Sequence, residues 1–213
     1  MLRLVIANKN YSSWSLRPWL LLKHFGVPFE EVRLPLDTPE FRQRAAELSP
    51  TGKVPVLHDG ARVVWDSLAI CEYVNETFLD GRGWPADPEH RALARCAAAE
   101  MHSGFAALRA QLPMNCRRKP NAYRWDADAE ADIQRVLALW RDLRRRSEGA
   151  FLLGGFGIVD AMYAPVALRF RGYGVTLDDS ARHFSDALFA LPAMREWLAA
   201  AEAESERVPH DER

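Results

Sequence analysis

The sequence predicts an α/β domain of order βαβαββα followed by an all-helical domain. Three observations carry this prediction. Up to Phe78, short apolar runs of strand length alternate with segments of helical periodicity. Val56-Leu57-His58 and Arg62-Val63-Val64 flank Asp59-Gly60, the chemistry of a tight hairpin turn. Beyond Pro88, apolar residues recur at helical spacing only. Dense turn chemistry, Asp80-Gly81-Arg82-Gly83-Trp84-Pro85 and then Asp87-Pro88, divides the two halves. The boundaries read as residues 1–79, a linker over 80–88, and a helical bundle over 89–213.

Leu2 to Ala7 reads as a buried first strand, Ser15 to Phe25 as a helix closed by Gly26, and Pro28 to Leu34 as a second strand. A helix follows from about Pro39 to Glu47. Pro55 cannot donate to a sheet ladder, so it belongs at a strand's start or edge, or carries a cis bond. The hairpin makes the sheet mixed rather than wholly parallel. Asp66 or Ser67 caps a helix reaching about Phe78, with Leu68, Ala69, Ile70 and Tyr73 behind it at helical spacing. In the second half, helices are expected from Glu89 to about Leu112, from Asp126 to Arg146 and from Asp160 to Phe170, with shorter ones within Asp179 to Ala203. Pro165 predicts a kink or a later start in the third of these. The polar tail from Glu202 to Arg213 reads as frayed.

A chain of 213 residues, 48% of them apolar, can bury a substantial core. Its net charge of −1, without a long like-charge run, gives no sign of a nucleic-acid or anionic-membrane surface. Arg144-Arg145-Arg146 suits a helix C-terminus. Cys71, Cys96 and Cys116 lack C-x-x-C spacing and form no metal-ligand cluster with the histidines, so no metal site is expected and a reducing cytoplasm fits best. The first apolar run is too short for a signal peptide, and no window approaches a membrane span.

Two stretches carry chemistry. Tyr11-Ser12-Ser13-Trp14-Ser15 offers hydroxyls and free N–H groups at a positive helix end, suited to a sulfur anion. Lys53-Val54-Pro55 and Asp66-Ser67 place a strand edge near a capped helix start, where free N–H groups and a carboxylate suit a zwitterionic amino-acid group. Together they read as a peptide-thiol site. A cysteine thiol is mostly protonated at neutral pH, and lowering its pKa by about two units requires about 2.7 kcal/mol of preferential anion stabilisation.

The Val54-Pro55 strand, the hairpin and the Asp66-Ser67 helix start resemble the glutathione-binding half of the cytosolic glutathione S-transferases, and the resemblance extends over nearly the whole chain. That family usually has Glu-Ser where this sequence has Asp66-Ser67. It implies a thioredoxin-like first domain, glutathione as co-substrate, a small electrophilic second substrate, a role in detoxification, and a homodimer. Ser12-Ser13-Trp14-Ser15 with Arg17 is similar to the loop of zeta-class, serine-type members, of which this resembles a bacterial example without an assigned substrate. Ser12 then matches the thiolate-activating serine, with Ser13 and Tyr11 as alternatives. Glutathione would lie on Lys53, Val54, Pro55, Asp66 and Ser67, and the second substrate against Trp14, Met101, His102, Phe105, Tyr123 and Trp125. Arg169-Phe170-Arg171 could bind a carboxylated substrate or pair with acidic neighbours. Conjugation and isomerisation of small organic acids both fit such a loop; a non-catalytic interaction protein on the same fold is the alternative. Gly157 to Asp160 resembles the family's helix-capping box with Gly in place of Ser or Thr.

Overall fold

The computed structural model describes residues 1–212. It contains β1 (Leu2–Ala7), α1 (Ser13–His24), β2 (Glu30–Leu34), α2 (Pro39–Leu48), β3 (Val56–Asp59), β4 (Arg62–Val64) and α3 (Ser67–Phe78). Helices α4 (Pro88–Ser103), α5 (Ala106–Gln111), α6 (Ala127–Arg144), α7 (Ile158–Tyr173), α8 (Asp179–Ala190) and α9 (Pro192–Ala203) follow. The sheet order is β2-β1-β3-β4. β1 and β2 are parallel, and β1 with β3 and β3 with β4 are antiparallel. The hairpin register pairs Leu57 with Val64, His58 with Val63 and Asp59 with Arg62 about Gly60, whose φ of 58° suits the turn.

The sheet uses its two faces differently. Val5, Leu34, Val56 and Ala45 make a small cluster under α2. Leu2, Leu4, Ile6 and Leu57 turn to the opposite face and join one core that continues through α1 into the helical half. Alternation along β1 thus sends neighbouring residues to different layers. Helix α1 lies between the sheet and α7, with Leu16, Trp19, Leu20, Leu21 and Leu22 buried, and Trp19 meets Trp197 of α9 edge-on at 5.0 Å.

Three expectations change. The single helix expected from Glu89 to Leu112 is broken after Ser103, because the Gly104 N–H closes on the Glu100 carbonyl at 2.8 Å and Phe105 adopts φ 57°. A Cβ at 104 would lie 2.7 Å from that carbonyl, so only glycine fits the turn. Pro165 does not interrupt α7, which runs through it and packs against α1 and α4. The tail from Glu204 to Glu212 is docked, not frayed; Arg213, the last residue of the tail read as frayed, lies outside the described residues. Glu204 accepts the Lys9 and Asn10 N–H groups at 2.7 and 3.1 Å, and Val208 is buried. Glu204 and Glu212 serve as acceptors for the loop after β1.

The cap of α7 explains its glycine. Asp160 accepts the Gly157 N–H at 2.8 Å and the Leu152 N–H at 2.9 Å, while a Cβ at 157 would meet the Gly83 carbonyl at 2.7 Å. That carbonyl receives the Ile158 N–H, fastening the turn before α4 to the start of α7. Burial pushes the Asp160 carboxyl up to about 7, against the backbone N–H groups and Arg144 that pull it down. Asp160→Ala orphans two buried donors and is expected to cost about 3 kcal/mol in urea denaturation. The folded-state value lies above the unfolded one, so the folded protein holds the extra proton. Wild-type stability, measured relative to the non-titrating Asp160→Asn, is expected to fall as pH rises from about 4 to about 7.

Candidate functional site

Two cavities of about 350 and 360 Å³ adjoin where the loop after β1 faces the start of β3, and Trp14, Lys53 and Val54 line both. The second also takes in Thr51, Pro55, Trp65, Asp66 and Ser67, so the structure brings Lys53, Val54, Pro55, Asp66 and Ser67 to one wall. The Val54–Pro55 and Trp65–Asp66 peptides are cis. Asp66 caps α3, its Oδ1 accepting the Leu68 and Ala69 N–H groups at 3.1 and 3.4 Å. Its Oδ2 stands 2.9 Å from Nε2 of His102 on α4.

The first cavity contains Tyr11, Ser12, Ser13 and Trp14 from the loop and start of α1, Leu36 and Phe41 from the β2–α2 side, and Arg109, Pro113, Met114, Arg169 and Asp211 from the helical half. Ser12 caps α1: its oxygen accepts the Ser15 N–H at 3.3 Å, and its O–H donates to Ser15 Oγ at 2.7 Å. Ser15 Oγ in turn accepts the Ala7 N–H at 3.1 Å, tying the end of β1 to the start of α1. Ser13 Oγ accepts from Arg169 Nη2 at 3.2 Å, which leaves its own proton for another acceptor. The Tyr11 hydroxyl turns the other way, donating to Glu212 and accepting from Arg117 Nη2 at 2.8 Å. Burial and Glu212 raise its pKa.

Guanidinium groups crowd this junction. Arg17 is buried, 4.2 Å from the Trp14 ring, and its Nη1 reaches Ser67 Oγ at 3.4 Å. Arg109 lies 5.5 Å from the same ring. Trp14 thus meets two cations, a cation–π arrangement, and the His102 ring edge-on at 5.3 Å. Burial, then the nearby Arg169, lowers Arg17 to about 9. Burial lowers Arg169 to about 10, with Asp211 partly offsetting it. Arg17 Nε has no hydrogen-bond partner among the described residues. Desolvated, mutually repelling cations favour any anion that enters.

The helical-half residues expected to meet a second substrate are placed elsewhere. Met101, on the inner face of α4, and Phe105, at the left-handed turn before α5, are both buried in the main core. Tyr123 packs on Tyr173 and donates to the Gln111 carbonyl at 2.8 Å, and Trp125 donates to Glu130 at 2.6 Å. His102 supports Asp66 and Trp14 from behind. Of the expected set, Trp14 lines the cavity; its apolar wall comes from Leu36, Phe41, Pro113 and Met114 instead. Those four, with Arg109, Asp211, Thr51 and Trp65, were not singled out in sequence: most stand alone in loops or short helices without periodic signal. Arg169 faces the cavity, Phe170 is in the core, and Arg171 lies 4.8 Å from the Phe189 ring. Cys71 and Cys116 are held protonated by burial, Cys116 up to about 12, and neither lines these cavities.

A family model described as glutathione S-transferase, N-terminal domain, matches residues 11–77. Over 173 residues the chain is 30% identical to glutathione S-transferase 1 of Dianthus caryophyllus, a match covering 78% of this chain and 76% of that protein. The chain belongs to the glutathione S-transferase family. This transferase-family chain is also 27% identical to maleylacetoacetate isomerase of Rattus norvegicus, covering 86% of this chain and 85% of that one. Two shorter matches span 20% and 44% of the relatives concerned. Its fold matches that of a bacterial zeta-class glutathione S-transferase, maleyl pyruvate isomerase, with a TM-score of 0.74 at 23% identity, covering 96% of this chain and 100% of that one. Among the described residues, no helix is long and apolar enough to cross a membrane.

Asp66 has a structural duty separable from any ligand role. Asp66→Ala is expected to cost about 1 kcal/mol through loss of the α3 cap, and Asp66→Asn to stay within a few tenths; urea denaturation of the two variants checks this.

Proposed function

We propose that this protein is a glutathione transferase that activates the glutathione thiol and delivers it to a small electrophile carrying an anionic group. The observation that carries the reading is the junction of the two cavities. One presents the Val54-Pro55 edge and the Asp66-Ser67 helix start, the other the Ser12 and Ser13 hydroxyls beside Arg109 and Arg169, and the two share Trp14, Lys53 and Val54. Glutathione laid along the second cavity would set its γ-glutamyl ammonium on Asp66, its α-carboxylate at Ser67 and the α3 N-terminus, its cysteinyl backbone on Val54 and its glycyl carboxylate near Lys53. Its sulfur would then point toward Ser12 and Ser13.

Ser12 is the assigned thiolate donor: its hydroxyl need only rotate from Ser15 Oγ to the sulfur. Ser13, already accepting from Arg169, donates the second hydrogen bond. Tyr11 is not the donor in this reading, because Glu212 and Arg117 hold its hydroxyl. Holding thiolate and electrophile in adjoining cavities removes the entropy cost of their encounter, and the donors stabilise the anion before it attacks. The protein would work as a cytoplasmic homodimer, as the family resemblance implies.

A second reading keeps the same binding mode but ends differently: the thiolate adds to an unsaturated organic acid, rotation follows, and glutathione leaves, giving isomerisation. The Arg109–Arg169 pair and the likeness to maleylacetoacetate isomerase support it.

The test is an ultraviolet titration of bound glutathione. Its thiol is expected to ionise well below the free value of about 8.5, to rise by about one to two units in Ser12→Ala, and to stay put in Tyr11→Phe. Asp66→Asn is expected to weaken glutathione binding about tenfold, roughly 1.4 kcal/mol, with the α3 cap retained. An unshifted thiol in wild type would remove the activating assignment.

A further inference from the structure

The segment after α9 does more than cover the loop. Arg117 reaches across it, donating to the Glu204 carbonyl, to the Glu206 carbonyl at 3.0 Å and to the Tyr11 hydroxyl at 2.8 Å. Val208 is buried beneath, and Pro209–Asp211 closes a single 3₁₀ turn. Asn115 donates to the Asp211 carbonyl at 3.5 Å, and His210 approaches Asp37 through Nδ1 at 3.3 Å and the Asp211 carboxylate through Nε2 at 3.7 Å. These contacts pin Asp211 at the first cavity, where its side chain, 19% exposed, joins Arg109 and Arg169 in the lining. An acidic residue held in a cavity otherwise furnished with guanidinium groups changes what that cavity accepts.

We propose that Asp211 is a specificity-determining residue, its carboxylate sharing the second-substrate cavity with Arg109 and Arg169 and fitting it to electrophiles with one negative charge and against those with two. The inference rests on the transferase reading above. With Lys53 taken by the glycyl carboxylate of glutathione in that reading, the two arginines alone would suit a dianion. With Asp211 present, one positive charge is answered from within, and a single substrate carboxylate balances what remains. A second carboxylate would have to sit against Asp211, at a distance and in a setting where like charges repel strongly. The Asp211 backbone is held by Asn115 and by its own N–H on the Val208 carbonyl at 3.0 Å, so the constraint is built into the resting structure and not imposed on binding.

Three S-substituted glutathiones of graded charge test this by calorimetry: S-methyl, S-carboxymethyl and S-dicarboxymethyl. Wild type is expected to prefer S-carboxymethyl over S-dicarboxymethyl glutathione. Asp211→Asn, which keeps the shape, is expected to bind the dicarboxymethyl compound about tenfold more tightly relative to the carboxymethyl one, with S-methylglutathione unchanged. Asp211→Ser, measured in parallel, is expected to shift the same ratio in the same direction. An unchanged ratio in both variants overturns the assignment, as does an equal shift for all three ligands, which would assign Asp211 to the shape of the segment alone. Failure of wild type to bind S-methylglutathione overturns instead the transferase reading beneath it, so the two failures are distinguishable.

Discussion

Helix α1 carries the structure. Apart from its last turn it is nearly enclosed, with the sheet on one side and α7 on the other, and Trp19 is fixed against Trp197. Its first turn is also where the chemistry converges. Ser15 ties it to β1, Ser12 caps it, Ser13 is gripped by Arg169 from α7, and Arg17 reaches under Ser67 at the start of α3. A shift of α1 of even a fraction of an ångström would therefore misplace the serines and loosen both halves together. Close packing converts a local displacement into a global cost.

The second organising feature is excess positive charge kept out of water. Arg17 and Arg169 are both buried, and the charged form of each is disfavoured by burial. Arg169 is partly repaid by the Arg109 and Leu112 carbonyls and by Ser13. Arg17 retains an Nε unmatched among the described residues. Of the two, Arg169 lines the first cavity, where an anion would offset the cost of its burial.

What could be read in the sequence follows from how far apart the pieces lie. The β3–β4 hairpin, the mixed sheet and the Asp66 cap were legible because each is encoded by neighbouring residues: Asp59-Gly60 for the turn, Pro55 for the strand edge, Asp66 before an apolar helix face. The second cavity draws its walls almost entirely from Thr51 to Ser67, plus Trp14. The first cavity draws on residues near 11, 36, 109, 169 and 211, and no window of sequence holds that combination. Met101 and Phe105 read as one face of one helix, but the chain turns at Gly104 between them and both go into the core. The break at Gly104 had the same origin: its cause is a carbonyl one turn back, visible only in three dimensions. The polar tail reads as frayed in composition, yet Glu204 finds two backbone donors some 195 residues away in the chain.

The uneven sourcing of the two cavities also bears on how such a protein can change over evolutionary time. Leu36, Phe41, Pro113 and Met114 line the first cavity alone, so substitutions there can reshape what is accepted without touching the neighbouring wall. Trp14 has no such freedom. Standing in both walls, between Arg17 and Arg109, it couples the fate of one chamber to the other. Lineages descending from this arrangement would be expected to diversify around a fixed indole, with novelty accumulating on the far side of it.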